Sequence, residues 1–244
     1  MVTKEDVIKI ARKEKLSLGI VEKDFVLTYI LKKIYGSELK NKLVFKGGTA
    51  LHKIYLHRRL SIDLDFAELK AVKIEEIKNI IEDKEINSKI KDLHEDQDSI
   101  NIILSYISVL DHKDNIKIQI SKREKPILNI IKKRLKSYFY SDFEVLTFKF
   151  EELVAEKIRA LIQRNKPRDF LDIYYILNKK NINFDFIIKL AKQKLKNVND
   201  SYDPNKIFDD IDLVRSLWKE DLRELISNIP NFDHVIEKIK EFFK

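Results

Sequence analysis

Cysteine is absent from all 244 residues, which removes disulfide frameworks and thiolate metal sites together. Histidine is sparse: the five, at positions 52, 57, 94, 112 and 234, show neither His-x3-His nor His-Glu-x-x-His spacing. A zinc hydrolase therefore has no ligand set. No run of about 18 apolar residues occurs, and the opening Met-Val-Thr-Lys-Glu-Asp lacks the apolar core of a secretory signal. These absences predict a cytoplasmic chain with no membrane partner. Glycine and proline number only four each, where average glycine usage near 7% would give about 17. Such a chain is expected to run in helices and strands with few open loops. Two of the four glycines, Gly47 and Gly48, are adjacent, and that concentration is the first pointer to a special site.

What is present suffices for a core. Hydrophobic residues form 44% of the chain, with 14 Phe and 9 Tyr, a composition unlike that of disorder. The length accommodates one large domain or two modest ones. Lysine and arginine total 48 against 40 acidic residues, a formal charge of +8. That excess suits a polyanion such as RNA, although a lysine-rich solvated surface produces the same number.

Helical periodicity is clear over 4–14 and 21–35, where Val26, Leu27, Ile30, Leu31 and Ile34 form one stripe. Leu43, Val44 and Phe45 read as a buried strand ending at Gly47-Gly48, after which Thr49 is expected to open a short helix to about Tyr55. Residues 61–66 alternate as a second strand, and 74–91 read as a charged amphipathic helix. Strands are expected near 100–109, 115–121 and 143–148. From Glu151 onward the pattern is helical, with a polar break at 197–201 and Pro204. The predicted fold class is α+β: an α/β lobe over 1–145 built on a mixed sheet flanked by helices, then an all-helical lobe over 146–244.

Three motifs carry chemistry. In Phe45-Lys46-Gly47-Gly48-Thr49 a strand passes through two glycines into a helix. Backbone N–H groups there can approach a phosphate closely, and Thr49 can cap the helix or bond an oxygen. Gly-Gly turns are common, so this motif alone is weak. In Arg59-Leu-Ser-Ile-Asp-Leu-Asp65, period two puts Ser61, Asp63 and Asp65 on one strand face. Two carboxylates roughly 5 Å apart repel by about 3 kcal/mol at an effective dielectric near 20. A divalent cation turns that repulsion into attraction, and hard oxygen ligands suit Mg²⁺. In the helix over 151–164, Lys157 falls inside the apolar arc of Leu153, Val154, Ile158 and Leu161, with Arg164 almost in line two turns later. A cation there snorkels or meets an anion. The next segment, Arg168-Asp-Phe-Leu-Asp172, offers Asp169 and Asp172 on one side at i and i+3, which suggests a Lys157–Asp172 pair. Such a pair either fastens two helices or orients Lys157 toward a triphosphate.

The order of these motifs, Gly-Gly-Thr, Arg-x-Ser-x-Asp-x-Asp, Ala-Glu-Lys-Ile-Arg-Ala-Leu and Arg-Asp-x-x-Asp, resembles the AbiEii/AbiGii-type nucleotidyltransferase toxins over about residues 21–180. The resemblance implies a polymerase-β-like nucleotidyltransferase fold with a helical C-terminal domain and a separately encoded antitoxin protein. It implies transfer of a nucleotide from a nucleoside triphosphate, in some relatives to the tRNA 3′ end, as in abortive phage defence. The positions matching the family pattern are Ser61, Asp63, Asp65, Lys157 and Asp172. Asp63 and Asp65 would hold Mg²⁺, while Gly47, Gly48, Thr49 and Ser61 would cradle phosphates and Lys157, oriented by Asp172, would neutralise the triphosphate. Lys46, Arg59, Arg164 and Asp169 are secondary nucleotide-binding candidates. One departure stands out: polymerase-like enzymes place a third carboxylate on a later strand, and here the strand over 115–120 carries Gln119 at that place. Transfer to a small-molecule or protein hydroxyl, and an inert member that only binds RNA or a partner, are the alternatives.

Overall fold

The computed structural model describes residues 2–243. It divides into two compact units, the first ending at Phe148 and the second beginning at Lys149.

The first unit is built on a seven-stranded mixed sheet. Its strands are β1 (Leu43–Lys46), β2 (Asp63–Glu68), β3 (Lys89–Glu95), β4 (Ser99–Ile107), β5 (Lys113–Ser121), β6 (Ile131–Leu135) and β7 (Phe143–Thr147), in the spatial order β3-β4-β5-β2-β1-β7-β6. β2 lies parallel to β5 and antiparallel to β1, and β1 lies parallel to β7. Alternation does what the sequence pattern asks of it. Leu64, Phe66, Ile100, Ile102, Ile118 and Ile120 are buried on one face, where Phe45 and Phe66 meet at 5.7 Å between ring centroids. The helices of this unit are α1 (Lys4–Glu14), α2 (Leu18–Tyr35), α3 (Gly47–Ala50) and α4 (Ile74–Ile81). α2 is buried on nearly every side and reaches the sheet through Tyr35, whose hydroxyl accepts from the Phe45 N–H (2.9 Å) and donates to the Leu146 carbonyl (2.8 Å). Burial pushes the Tyr35 phenol far above its ordinary pKa.

Three sequence expectations need correction. The helix expected over 74–91 stops at Ile81, because Ser88 donates its hydroxyl to the Ile81 carbonyl (2.7 Å) and Glu82 accepts from the Ile90 N–H (2.9 Å). Residues 89–95 then form the edge strand β3. The helix expected from Thr49 begins at Gly47 and passes at Leu51 into a π-helical turn ending at Leu56. The other edge strand, β6, escaped the sequence reading because Lys132, Lys133 and Arg134 are consecutive and all exposed, which erases any alternation.

The second unit is helical: α5 (Phe150–Arg164), α6 (Pro167–Leu177), α7 (Phe184–Lys196), α8 (Ile211–Leu222) and α9 (Phe232–Phe243). Pro167 occupies the first turn of α6, where its missing N–H has no partner to lose. The polar break over 197–201 falls between α7 and α8, and Pro204 opens a short 3-10 turn. Trp218 is core, its indole N–H donating to the Pro230 carbonyl at 2.9 Å. Among the described residues no helix is long and apolar enough to cross a membrane.

Candidate functional site

In the first unit, register determines the site. Leu64 and Phe66 turn to the core, so Asp63 and Asp65 share the opposite face of β2. Lys46 pairs with Asp65 from β1, while Lys117 and Gln119 of β5 pair with Asp63 and Asp65. Lys46, Asp65 and Gln119 therefore form one row across three strands, with Lys117 and Asp63 beside it.

Gly47 follows directly, at φ +73°, and a Cβ built there would lie 2.1 Å from Asp65 Oδ2. Only a residue without a side chain fits, so backbone and carboxylate can stand together. Thr49 is buried and donates its hydroxyl to the Asp63 carbonyl, tying the turn after β1 to the start of β2 rather than capping the helix. Lys46 Nζ lies 2.5 Å from Glu124 Oε2, on the loop after β5. Ser61 and Arg59 are buried, and the Arg59 guanidinium donates to the Leu60 carbonyl at 2.8 Å. Gly48 is half-buried.

Two carboxylates on one face leave a hard cation most of its coordination shell to fill. That fits an ion completed by water and phosphate oxygens, and among the described residues no group of three or more possible ligands gathers into a self-sufficient cage.

In the second unit, Lys157 on α5 lies 2.9 Å from both Asp169 Oδ1 and Asp172 Oδ2 on α6. The i, i+3 spacing brings both carboxylates to the same ammonium. Arg164 grips Asp169 through two nitrogens, at 2.8 and 3.1 Å. Both aspartates are fully buried. Burial alone would raise the Asp169 pKa, but Lys157 and Arg164 hold it below its ordinary 3.8. Lys157 thus lies between two buried carboxylates and Arg164 closes on one of them, the pairing that buried charges require.

The structure also holds polar groups that the sequence reading did not single out. Lys117 was legible, two residues before Gln119 and hence on its face. Glu124 was not, since only the chain's path after β5 takes it to Lys46. Lys194 on α7 is buried against Glu152 (2.8 Å) and Glu156 (3.2 Å) of α5; the i, i+4 spacing of the two glutamates was its one sequence trace.

A mixed sheet thus sets two aspartates of one strand beside a Gly-Gly turn, and a helical unit follows in sequence. The profile of the family described as "Nucleotidyl transferase AbiEii toxin, Type IV TA system" matches residues 29–238, and the chain belongs to that family. It is thus a nucleotidyltransferase of the toxin class, and membership implies a nucleotide substrate and an antitoxin partner. Among solved structures, MenT4, a nucleotidyltransferase toxin from Mycobacterium tuberculosis H37Rv, aligns with a TM-score of 0.81 at 17% identity, covering 100% of this chain and 89% of that one. JHP933 from Helicobacter pylori aligns at 0.65 and 20% identity, covering 93% and 91%. At those identities the likeness is one of fold. An uncharacterized protein of Aquifex aeolicus (strain VF5) is 25% identical over 215 residues, 88% of this chain and 90% of its own length.

Proposed function

We propose that the chain transfers a nucleoside monophosphate from a nucleoside triphosphate to a hydroxyl of RNA, such as the 3′ end of tRNA, with Mg²⁺ held by Asp63 and Asp65. The observation that carries this reading is the placement of both carboxylates on one sheet face, with Gly47 packed so closely on Asp65 that no side chain fits between them. The acceptor hydroxyl oxygen attacks the α-phosphorus as its proton passes to solvent, the bond to the bridging oxygen breaks, and pyrophosphate leaves. Mg²⁺ bound at the aspartates supplies positive charge to the phosphate oxygens. Gly47, Gly48, Thr49 and Ser61 cradle the phosphates, with Lys46 and Arg59 as further contacts. In the second unit Lys157, set between Asp169 and Asp172, and Arg164, which holds Asp169, are the candidates for nucleotide contact. Gln119 is an amide and takes no proton as a carboxylate would.

The formal charge of +8 favours RNA over a small-molecule or protein acceptor, which needs no basic surface. The test is incubation of the purified protein with total RNA, Mg²⁺ and each α-labelled triphosphate in turn. Label enters RNA with the wild type and drops at least about a hundredfold with Asp63→Ala, the scale expected when charge stabilisation of the transition state is lost. Equal labelling by both proteins would remove the site from Asp63.

A further inference from the structure

Several lysines of the first unit are engaged: Lys23, Lys33, Lys42, Lys46, Lys53 and Lys122 each pair with a carboxylate. One region gathers cations from three elements. Along and beyond the edge strand β6, Lys132, Arg134 and Lys136 are exposed and form no ion pair among the described residues. Beside them opens a surface cleft of about 520 Å³, lined by Lys32, Lys40 and Lys132 together with Tyr35 and Asn41. Its single carboxylate is Glu144, the register partner of Arg134. Lys32 also lies 4.4 Å from the ring centroid of Tyr140.

Charged residues on an edge strand discourage strand addition, and that explains β6 by itself. It does not explain Lys32 and Lys40, which arrive from α2 and from the 3-10 turn over Glu38–Asn41 yet open on the same cleft. Register adds a second point. Lys46 shares its sheet face with Asp65. Phe45 pairs with Thr147, so Leu146 takes the face of Lys46, and Lys132 and Arg134 pair with Leu146 and Glu144. By register Lys132 and Arg134 thus take the same sheet face as the two aspartates, three strand spacings away, roughly 14 Å.

We infer that this rim binds the phosphodiester backbone of the acceptor RNA, a few nucleotides from its reacting end. The inference rests on the RNA-acceptor reading above. Unpaired, exposed cations beside an aromatic ring are the surface that releases counterions from a nucleic-acid strand and tolerates any sequence.

The experiment uses the full chain and a 5′-fluorescein single-stranded RNA of 24 mixed nucleotides, followed by fluorescence anisotropy across a salt series. The variant is Lys40→Gln/Lys132→Gln/Arg134→Gln, all exposed positions, with its melting temperature checked against wild type. Each phosphate contact contributes roughly 0.7 to the log–log salt slope for single strands. The variant is therefore expected to lose about 2 units of slope and at least about tenfold in affinity near 0.1 M salt. Binding of labelled nucleoside triphosphate should be unchanged. An unaltered slope and affinity overturn the assignment. So does a variant that keeps RNA binding but escapes neutralisation by the antitoxin in co-expressing cells, which gives the rim to a protein partner. If wild type binds RNA at no salt concentration, the acceptor reading itself fails, an outcome separate from failure of the rim alone.

Discussion

At the scale of single residues, the site is decided by what is missing at position 47. A left-handed φ of +73° is open to glycine at little cost and strains any residue with a Cβ. The nearest atom to such a Cβ is Asp65 Oδ2 at 2.1 Å, so alanine must displace the carboxylate, the backbone or both. Gly47→Ala is expected to abolish nucleotide transfer while costing about 1–3 kcal/mol of stability, the range for a non-glycine residue held in a disfavoured region. Transfer assays beside urea unfolding check this. Retained activity with a lowered melting temperature would mean that Asp65 adjusts freely and that the close approach has no catalytic purpose. Lys46, Lys117 and Gln119 are residues where the sheet face departs from a purely acidic floor. A lysine stands opposite each aspartate in register, Lys46 with Asp65 and Lys117 with Asp63, and opposite charges so placed lessen carboxylate repulsion.

At the scale of elements, burial on one face is what makes a segment readable. β2 was legible in Ser-Ile-Asp-Leu-Asp-Phe because Leu64 and Phe66 are fully buried while Asp63 and Asp65 are not. The position of Lys157 within the arc of α5 was legible for the same reason, and its pairing with Asp172 followed from the acid placed in an apolar helix. Asp169 is a second, equally close partner of Lys157, as its i, i+3 spacing from Asp172 allows, although the sequence reading paired only Asp172 with that lysine. The edge strand β3 has no buried residue and β6 only Leu135, too few to impose a period, and the helix over 74–91 was overextended because its stop lies in the side chains of Glu82 and Ser88. The α5–α7 contact shows what long-range pairing adds. Lys194 is 3% exposed between Glu152 and Glu156, and replacing it with methionine takes the ammonium away from two buried carboxylates. Lys194→Met is expected to cost about 3–5 kcal/mol, the loss typical of breaking a buried pair on one side. Double replacement with Glu152→Gln should recover part of it. Chemical denaturation of the two variants measures the difference, and a single-variant loss under about 1 kcal/mol would mark the cluster as solvated.

At the scale of the whole molecule, carboxylates of opposite behaviour set the response to pH. Burial raises the pKa of Asp169, Asp114 and Asp83, while hydrogen bonds and ion pairing lower it, and the lowering wins for all three, placing them below 3.8. Their stabilising contribution is fully present above pH 3.8 and is lost as pH falls through each depressed value. Glu22 runs the other way. It is fully buried, one oxygen accepts from the Leu110 N–H at 2.7 Å, and the other lies 3.8 Å from His112 Nε2. Burial outweighs the Leu110 hydrogen bond and His112, and raises its pKa above 4.5. Its contribution is complete below pH 4.5 and is lost as pH rises through the raised value. Wild type should therefore lose stability on both sides, below pH 3.8 through the aspartates and above pH 4.5 through Glu22. Glu22→Gln keeps the acceptor for Leu110 and removes the ionisation, so it should flatten the upper limb and leave the acid limb in place. Asp169→Asn should do the reverse, weakening the acid limb while lowering stability at neutral pH. Urea midpoints of the three proteins from pH 2.5 to 8 decide the matter. An upper limb as steep in Glu22→Gln as in wild type would assign the loss of stability to groups other than this carboxylate.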